Sequence, residues 1–459
     1  PVIVDRVQQA RAKNALEPEW EARFEARSYG FRPGRGCHDA MAALFTTLKG
    51  KNAMRLWALD ADLTAAFDHI DHSHLMAVVG GFPGREAARQ WLKAGVVEER
   101  VLIPTDDGIS QGSVISPLFL NIALHGMEYA AGVRYHITGT VAGRVHKDSP
   151  VLVRYADDLI ALCHTRDQAE QVKARLATWL APRGLTLNED KTRIVHVNDG
   201  FDFLGFNVRR YHGKLLIKPS TAAIRRIRAR LRAEVLALRG SNALAIIRKL
   251  NPIVRGWAAY YRVAVSSRVF AGLDRYLWQL TYKWGCFTHP TKSKHWVTTR
   301  YYERFNPARQ DKWVFGDRES GAYLRKFAWT NIVRHQMVKG TASPDDPTLS
   351  DYWARRRRSK RSTRLDESLQ LLLKAQKGRC PGCGELVLHA ERQPDSPQEW
   401  ELWMRTTRKV MVKKTTTCEG DGRSGHVQRL VHAWCRRSLD VDKTPGPTLL
   451  SARESWRLA

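Results

Sequence analysis

The stretch Val151-Leu152-Val153-Arg154-Tyr155-Ala156-Asp157-Asp158-Leu159-Ile160-Ala161-Leu162 decides how this chain is read. Two apolar runs of strand length flank a short Tyr-Ala-Asp-Asp tip, the pattern of a β-hairpin. Hairpin tips usually carry Gly or Asn, which accept the turn dihedrals. This one carries two adjacent carboxylates, Asp157 and Asp158, whose mutual repulsion calls for cations. Paired divalent metals that hold an attacking and a leaving oxygen are one chemistry that needs such a tip. A solvated acidic turn is the bland alternative, and the apolar flanks weigh against it.

The 459 residues are too many for one core and imply two to four domains. A formal net charge of +29 points to a polyanionic partner. Acidic membrane surface competes as a reading, but there is no run of about 18 apolar residues and no signal peptide ahead of the first domain. Cys37, Cys163 and Cys286 are isolated, while the other four cysteines cluster after residue 379, which suggests metal in a reducing compartment rather than a disulfide framework. The chain opens at Pro1 as though in mid-domain, so part of the first domain is expected to precede it.

Val2–Phe24 has the apolar spacing of a basic amphipathic helix, and His38–Leu48 resumes helical periodicity. Between them lies a glycine-rich loop, Ser28-Tyr29-Gly30-Phe31-Arg32-Pro33-Gly34-Arg35-Gly36, whose amides and two guanidiniums suit phosphate contact or an ordinary basic surface. Arg55–Leu63 reads as a strand with Asp60 and Asp62 on one face, followed by a turn into a helix past Phe67 and Asp68. Gly108–Asn121 reads as a loop entering a helix, with Pro117 in its first turn and free amides around Gln111 and Gly112. A helix over Arg166–Leu180, the segment Leu187–Thr192, a strand Arg193–Val197 and the run Phe201–Val208 complete this part.

The order strand-Asp-aromatic-helix, Gln-Gly loop, Tyr-Ala-Asp-Asp hairpin, Leu-Asn-x-x-Lys-Thr and Phe-Leu-Gly-Phe resembles the palm of a reverse transcriptase. Tyr29–Arg35 and Gln111–Pro117 are similar to the versions in proteins encoded by bacterial group II introns. The resemblance implies a multidomain α+β protein: right-hand polymerase fingers and palm with an antiparallel sheet, a helical thumb (maturase domain X), a basic DNA-binding region and a small HNH-like zinc module. It implies Asp62, Asp157 and Asp158 as ligands of two catalytic magnesium ions, a demand met by a few carboxylates plus substrate phosphate and water. It also implies Phe67 as a gate against the ribose 2′-hydroxyl. Gln111, Gly112 and Tyr155 would lie at the nucleotide and template pocket, and Lys191 near the triphosphate. Phe203, Leu204, Gly205 and Phe206 would form the hairpin that grips the primer. Asp60 reads as structural.

Beyond residue 220 three helices are expected, over Ala222–Leu238, Ala243–Arg262 and Val269–Trp284, with arginines and aromatics interleaved. Arg-Gly-Trp-Ala-x-Tyr-Tyr-Arg, from Arg255 to Arg262, is similar to the group II thumb. Trp257 and Tyr260 read as packed, and Arg225, Arg226, Arg228, Arg230, Arg255 and Arg262 as facing RNA. Gly340–Asp351 reads as a linker, and Arg355–Arg361 as a charge run open to phosphate. Cys380-Pro381-Gly382-Cys383 and His432-Ala433-Trp434-Cys435 are two knuckles with zinc-ligand spacing, with Cys418 and His426 as competing ligands. This segment resembles an HNH module, but the family's adjacent histidines and its asparagine are missing around Met411–Thr415 and Val427. It therefore reads as a DNA-binding remnant rather than a nuclease.

The domains expected are 1–219 fingers and palm, 220–305 thumb, 306–375 basic region and linker, 376–440 zinc module and 441–459 tail. The function expected is RNA-directed DNA synthesis with splicing of a group II intron. The partners would be intron RNA, target DNA and deoxynucleoside triphosphates, in a bacterial cytoplasm and away from membrane. Two other readings stay open: a splicing cofactor whose polymerase is unused, and a reverse transcriptase of another bacterial system.

Overall fold

The computed structural model describes residues 3–98, 101–103, 105–140, 142–306, 309–360, 372, 375–381, 384, 411–420, 423–432 and 435. The chain divides into two compact units, Pro1–Leu349 and Ser350–Ala459. Among the described residues no helix is long and apolar enough to cross a membrane.

The acidic hairpin forms as its alternation demands. Val151–Tyr155 and Asp158–Cys163 pair antiparallel, with Tyr155 opposite Asp158. Asp158–Cys163 then pairs with Trp57–Ala61, which pairs with Arg193–His196, giving a four-stranded antiparallel sheet. Period-two geometry sorts its side chains. Leu59, Ala61, Leu152, Leu159, Ala161 and Cys163 share one core with Ala169, Val172, Leu176 and Leu180 of the helix Arg166–Leu180. Ala58, Val151, Val153, Ile160 and Leu162 share the opposite core with Met41, Leu44 and Leu48 of the helix Cys37–Leu48. Both faces are covered, so the sheet is rigid and its hairpin tip is held at one edge.

A second sheet, Phe201–Phe203, Phe206–Tyr211 and Lys214–Pro219, leads into the helices Thr221–Ala237, Ala243–Tyr261 and Ser267–Thr288. The three expected helices are present, and the middle one runs unbroken through Pro252. Its neighbour Asn251 is tied down, donating from Nδ2 to the Tyr323 carbonyl at 2.9 Å and accepting from the Arg325 amide at 2.8 Å.

The segment after residue 305, expected to hold a basic region and linker, is part of the first unit up to Leu349. Tyr302–Glu303, Val314–Asp317 and Ala322–Tyr323 form a small sheet, and Phe315, Leu324 and Phe327 enter the same core as the three helices. The chain then returns to the helix Cys37–Leu48, where Asp39 Oδ1 receives the Val338 amide at 2.8 Å and His335 Nε2 at 3.0 Å. Arg35 fastens the Gly340 and Ala342 carbonyls at 2.9 and 3.1 Å. Of the charge run, only Arg355 and Arg356 have described side chains.

The glycine-rich loop also departs from its reading as a phosphate contact through arginines. The Arg32 side chain is fully buried and meets Glu21 in a two-pronged pair at 2.9 Å. Arg35 is spent on carbonyls, and burial lowers its pKa to about 10. Breaking a buried pair leaves an uncompensated charge. Arg32→Met alone is therefore expected to lower the unfolding free energy by about 3–5 kcal/mol, and adding Glu21→Leu to restore most of it, measured by denaturant unfolding.

Candidate active site

The two-residue turn Ala156-Asp157 is strained. Ala156 sits at φ 57°, where an L-residue gains crowding that glycine avoids. The fold holds it there from behind. Ser28–Gly30 lies alongside Arg154–Ala156, joined by Tyr29 N to Arg154 O and Arg154 N to Arg27 O, both at 3.0 Å. At Gly30 a Cβ would collide with the Ala156 nitrogen and stand 2.8 Å from its Cα, so only glycine allows this approach. Beneath the turn, buried Arg154 donates through one guanidinium nitrogen to Ala156 O at 3.1 Å and Asn121 Oδ1 at 3.0 Å. Asn121 Nδ2 in turn donates to Gly30 O at 2.9 Å. Neither Arg154 nor Asn121 stood out as a site residue in the sequence. The signal available was an arginine inside an otherwise apolar strand.

The register brings the third carboxylate in. Ala61 pairs with Leu159, so one further step sets Asp62 across from Asp158. Its backbone is fixed by the Asn188 amide, which donates to Asp62 O at 2.8 Å. Burial, then Asp157 and Asp62, push the Asp158 carboxyl up to about 6. Lost hydration comes first in that shift and the neighbouring carboxylates second, and a divalent cation held there would favour the charged form. Lys191 supplies part of the relief: its Nζ lies 2.7 Å from Asp62 Oδ2, and this contact raises its own pKa. With Asp62 turned to the lysine, no three His, Cys, Asp or Glu side chains among the described residues form a ready metal-holding set. The donor chemistry of the three carboxylates fits magnesium, with Lys191 as the side chain that must yield Asp62.

Asp60, read as structural, shares this electrostatic field. Burial and then Asp158 push its carboxyl up to about 7, against the pull of Arg193, which pairs with it across the sheet.

The other expected residues are each fixed by contacts of their own. Phe67 is half-buried and meets Phe31 edge to face, with ring centroids 6.2 Å apart. The Phe67 carbonyl accepts from the Ile109 amide at 2.6 Å, which docks the Gln111-Gly112 loop beside it. That loop is held from the other side by buried Gln9, whose Oε1 accepts from Ser113 Oγ at 2.8 Å and Val114 N at 3.0 Å. Gln111 and Gly112 themselves are exposed, and Tyr155 is half-buried.

The Phe-Leu-Gly-Phe hairpin forms with both turn residues left-handed, Leu204 at φ 50° and Gly205 at φ 78°. Phe203 and Phe206 are core residues, 4% and 0% exposed, so this hairpin offers nucleic acid only its Leu204-Gly205 turn. The turn is gripped from the long helices: Tyr260 Oη donates to Leu204 O at 2.9 Å and Tyr261 Oη to Gly205 O at 3.2 Å. Arg225, Arg226, Arg228, Arg230 and Arg255 are exposed, with Arg228 over the Tyr276 ring. Arg262 differs. It is half-buried and donates to the Asn331 carbonyl at 3.2 Å, so it ties the return segment rather than standing open.

In the second unit, Cys380 and Cys435 are buried. Cys383, and the side chains of His432, Cys418 and His426, lie outside the described residues.

The same order of parts is found in known proteins. Residues 1–208 match the family model of the reverse transcriptase (RNA-dependent DNA polymerase). Residues 224–302 match that of the group II intron, maturase-specific domain. The chain is thus similar to a reverse transcriptase over its first part and to a maturase-specific domain over the next. Protein YkfC of Escherichia coli is 32% identical over 241 residues, 46% of this chain and 62% of that protein. The group II intron-encoded protein LtrA of Lactococcus lactis is 26% identical over 264 residues, 46% of this chain and 43% of that protein. The chain thus spans between 42% and 62% of the length of the first curated relatives it matches. A solved structure of apo telomerase from Candida Tropicalis aligns at 13% identity and a TM-score of 0.35, covering 62% of this chain and 54% of that one.

Two glycines test how the turn is held. Gly30→Ala forces the backbone of Ala156 to move and is expected to cost about 1–3 kcal/mol of stability. Gly213→Ala, at φ 76° with open space around it, is expected to cost only about 1 kcal/mol. Urea melts of the two variants, with equal losses as the contrary result, check the close approach.

Proposed function

We propose that this protein is an RNA-directed DNA polymerase that also binds a group II intron RNA and assists its splicing. The observation that carries the reading is the carboxylate trio Asp62, Asp157 and Asp158 at the edge of a rigid sheet, in the order of parts that matches a reverse transcriptase. When bound there, magnesium would hold the primer hydroxyl and the triphosphate in line and offset the developing charge. The chain's own residues set the rest. Asp157 and Asp158 are presented on a turn that Arg154 and Gly30 keep from relaxing. Lys191 releases Asp62 and turns its ammonium toward the phosphates, where it favours departure of pyrophosphate. Phe67, fixed by Phe31, closes the space beside the sugar and so selects deoxynucleotides. The exposed arginines of Thr221–Ala237 add sequence-independent affinity for RNA backbone.

The finer reading has a bacterial cytoplasmic protein copying its intron at a DNA target, with the second unit as a zinc-stabilised DNA-binding module. Zinc would be held by Cys380, Cys383, His432 and Cys435. The burial of Cys380 and Cys435 in so small a unit supports it.

Primer extension on an RNA template with magnesium tests the first part. Asp158→Asn is expected to lower the extension rate on the order of a thousand-fold or more. Phe67→Ala should keep extension but admit ribonucleotides. Absence of extension by the wild type, alongside acceleration of intron splicing, would leave only the splicing role. For the second part, metal analysis should find one zinc per chain, lost in Cys380→Ser; a zinc-free wild type rejects the assignment.

A further inference from the structure

A cavity of about 170 Å³ lies between the helix Ser267–Thr288 and the small sheet that follows residue 301, away from the carboxylates. Four aromatic residues line it, Trp278, Tyr302, Trp313 and the buried Phe315. Trp278 and Trp313 stand nearly perpendicular with centroids 6.3 Å apart, and Tyr302 lies 6.3 Å from the first and 6.1 Å from the second. Trp278 is backed by Tyr282, stacked at 5.3 Å and 7°. The two tryptophans are conspicuously open to water, Trp313 at 57% and Trp278 at 37% exposure. Two large rings left exposed side by side at a concave site mark binding surface rather than core.

The floor is closed to hydrogen bonding. Tyr302 Oη and Thr281 Oγ1 satisfy each other at 2.8 Å, and Thr281 also reaches the Leu277 carbonyl at 3.0 Å. What the floor offers a ligand is therefore ring faces. Ring faces attract two kinds of guest, a cation or another planar π-system. The electrostatics decide between them. Arg275, Arg325 and Lys326 line the same cavity, Lys326 already paired with Asp311 at 3.3 Å, and the single carboxylate lining it, Asp274, accepts the Phe327 and Ala328 amides at 2.6 and 3.0 Å. A cationic guest would be repelled. A planar guest that carries a phosphate would be drawn in.

We propose that this cavity takes one unpaired, flipped-out nucleotide of bound RNA, its base against Trp313 and Trp278 and its phosphate toward Arg275 and Arg325. The volume is smaller than pockets built for drug-sized ligands and suits a single base. Base pairing would cover the faces the rings need, so the site reads single-stranded segments and not duplex. Trp278 and Tyr302 fall within the residues that match the maturase-specific domain, whereas Trp313 and Arg325 follow it. The cavity thus extends the RNA surface past the end of that domain. The proposal rests on the reading of this protein as an RNA binder.

Titration of the full-length protein with a short single-stranded RNA and with the same sequence as a duplex tests it, read by tryptophan fluorescence and by anisotropy of labelled RNA. Trp313→Ala removes an exposed side chain and is expected to leave the melting temperature unchanged. It should weaken single-stranded binding roughly five- to hundred-fold, the range of one lost base–aromatic stack, with duplex affinity within about two-fold. Trp313→Phe should recover most of the loss, and Arg275→Ala should weaken single-stranded binding and make its salt dependence shallower by about one phosphate contact. Equal loss on both RNAs, or no loss on the single strand, overturns the proposal. Fluorescence quenching by tetramethylammonium and not by RNA also overturns it, in favour of a cation cage. Failure of the wild type to bind either RNA instead strikes the underlying reading of an RNA-binding protein.

Discussion

The approach of Gly30 to Ala156 is the constraint from which the site follows. Two adjacent carboxylates at a hairpin tip repel, and an alanine at φ 57° adds backbone strain, so an unsupported turn would open. Support comes from inside. Burial lowers the Arg154 pKa to about 10, against the favourable fields of Glu25, Glu128 and Asp157, so a cation is held in the interior at a desolvation cost. Its hydrogen bonds to Ala156 O and Asn121 Oδ1 offset part of that cost and freeze the turn in one position. A positively charged brace under a negatively charged tip serves geometry and electrostatics together.

The same balance explains why a chain with a net charge of +29 keeps a pocket of concentrated negative charge. Asp60, Asp62, Asp157 and Asp158 are drawn together by register along neighbouring strands, and burial holds Asp60 and Asp158 well above the usual carboxylate range. Among the described residues one ammonium, from Lys191, is paired with the trio. A permanent guanidinium in its place would neutralise the site and hinder a metal. A flexible, 66% exposed lysine can leave.

Much of this was legible in the sequence because it is local. Strict alternation over Val151–Leu162 specifies the hairpin, and alternation over Trp57–Ala61 sets the face that Asp60 and Asp62 share. What escaped depends on partners far along the chain. Arg32 and Arg35 look like phosphate ligands until Glu21 and the carbonyls of Gly340 and Ala342 claim them. Arg262 sits in a helical pattern beside exposed arginines, yet Asn331 takes its donor. Phe203 and Phe206 flank a motif that suggests contact with nucleic acid, and three-dimensional packing turns both rings inward. A cation or aromatic in a motif announces chemistry only when no distant group has first use of it.

The return of residues 331–342 to the helix Cys37–Leu48 gives the first unit its coherence. The second sheet and the long helices are joined at the Leu204-Gly205 turn by Tyr260 and Tyr261, and Arg262, Asp39 and Arg35 hold the returning segment. One connection would act as a hinge. Two separated connections fix an angle. Burial of Asp39 at 2% exposure, with its carboxylate shared between Val338 N and His335, makes the second connection as much part of the core as the first. The exposed arginines of Thr221–Ala237 and the turn that holds the carboxylates therefore belong to one compact unit.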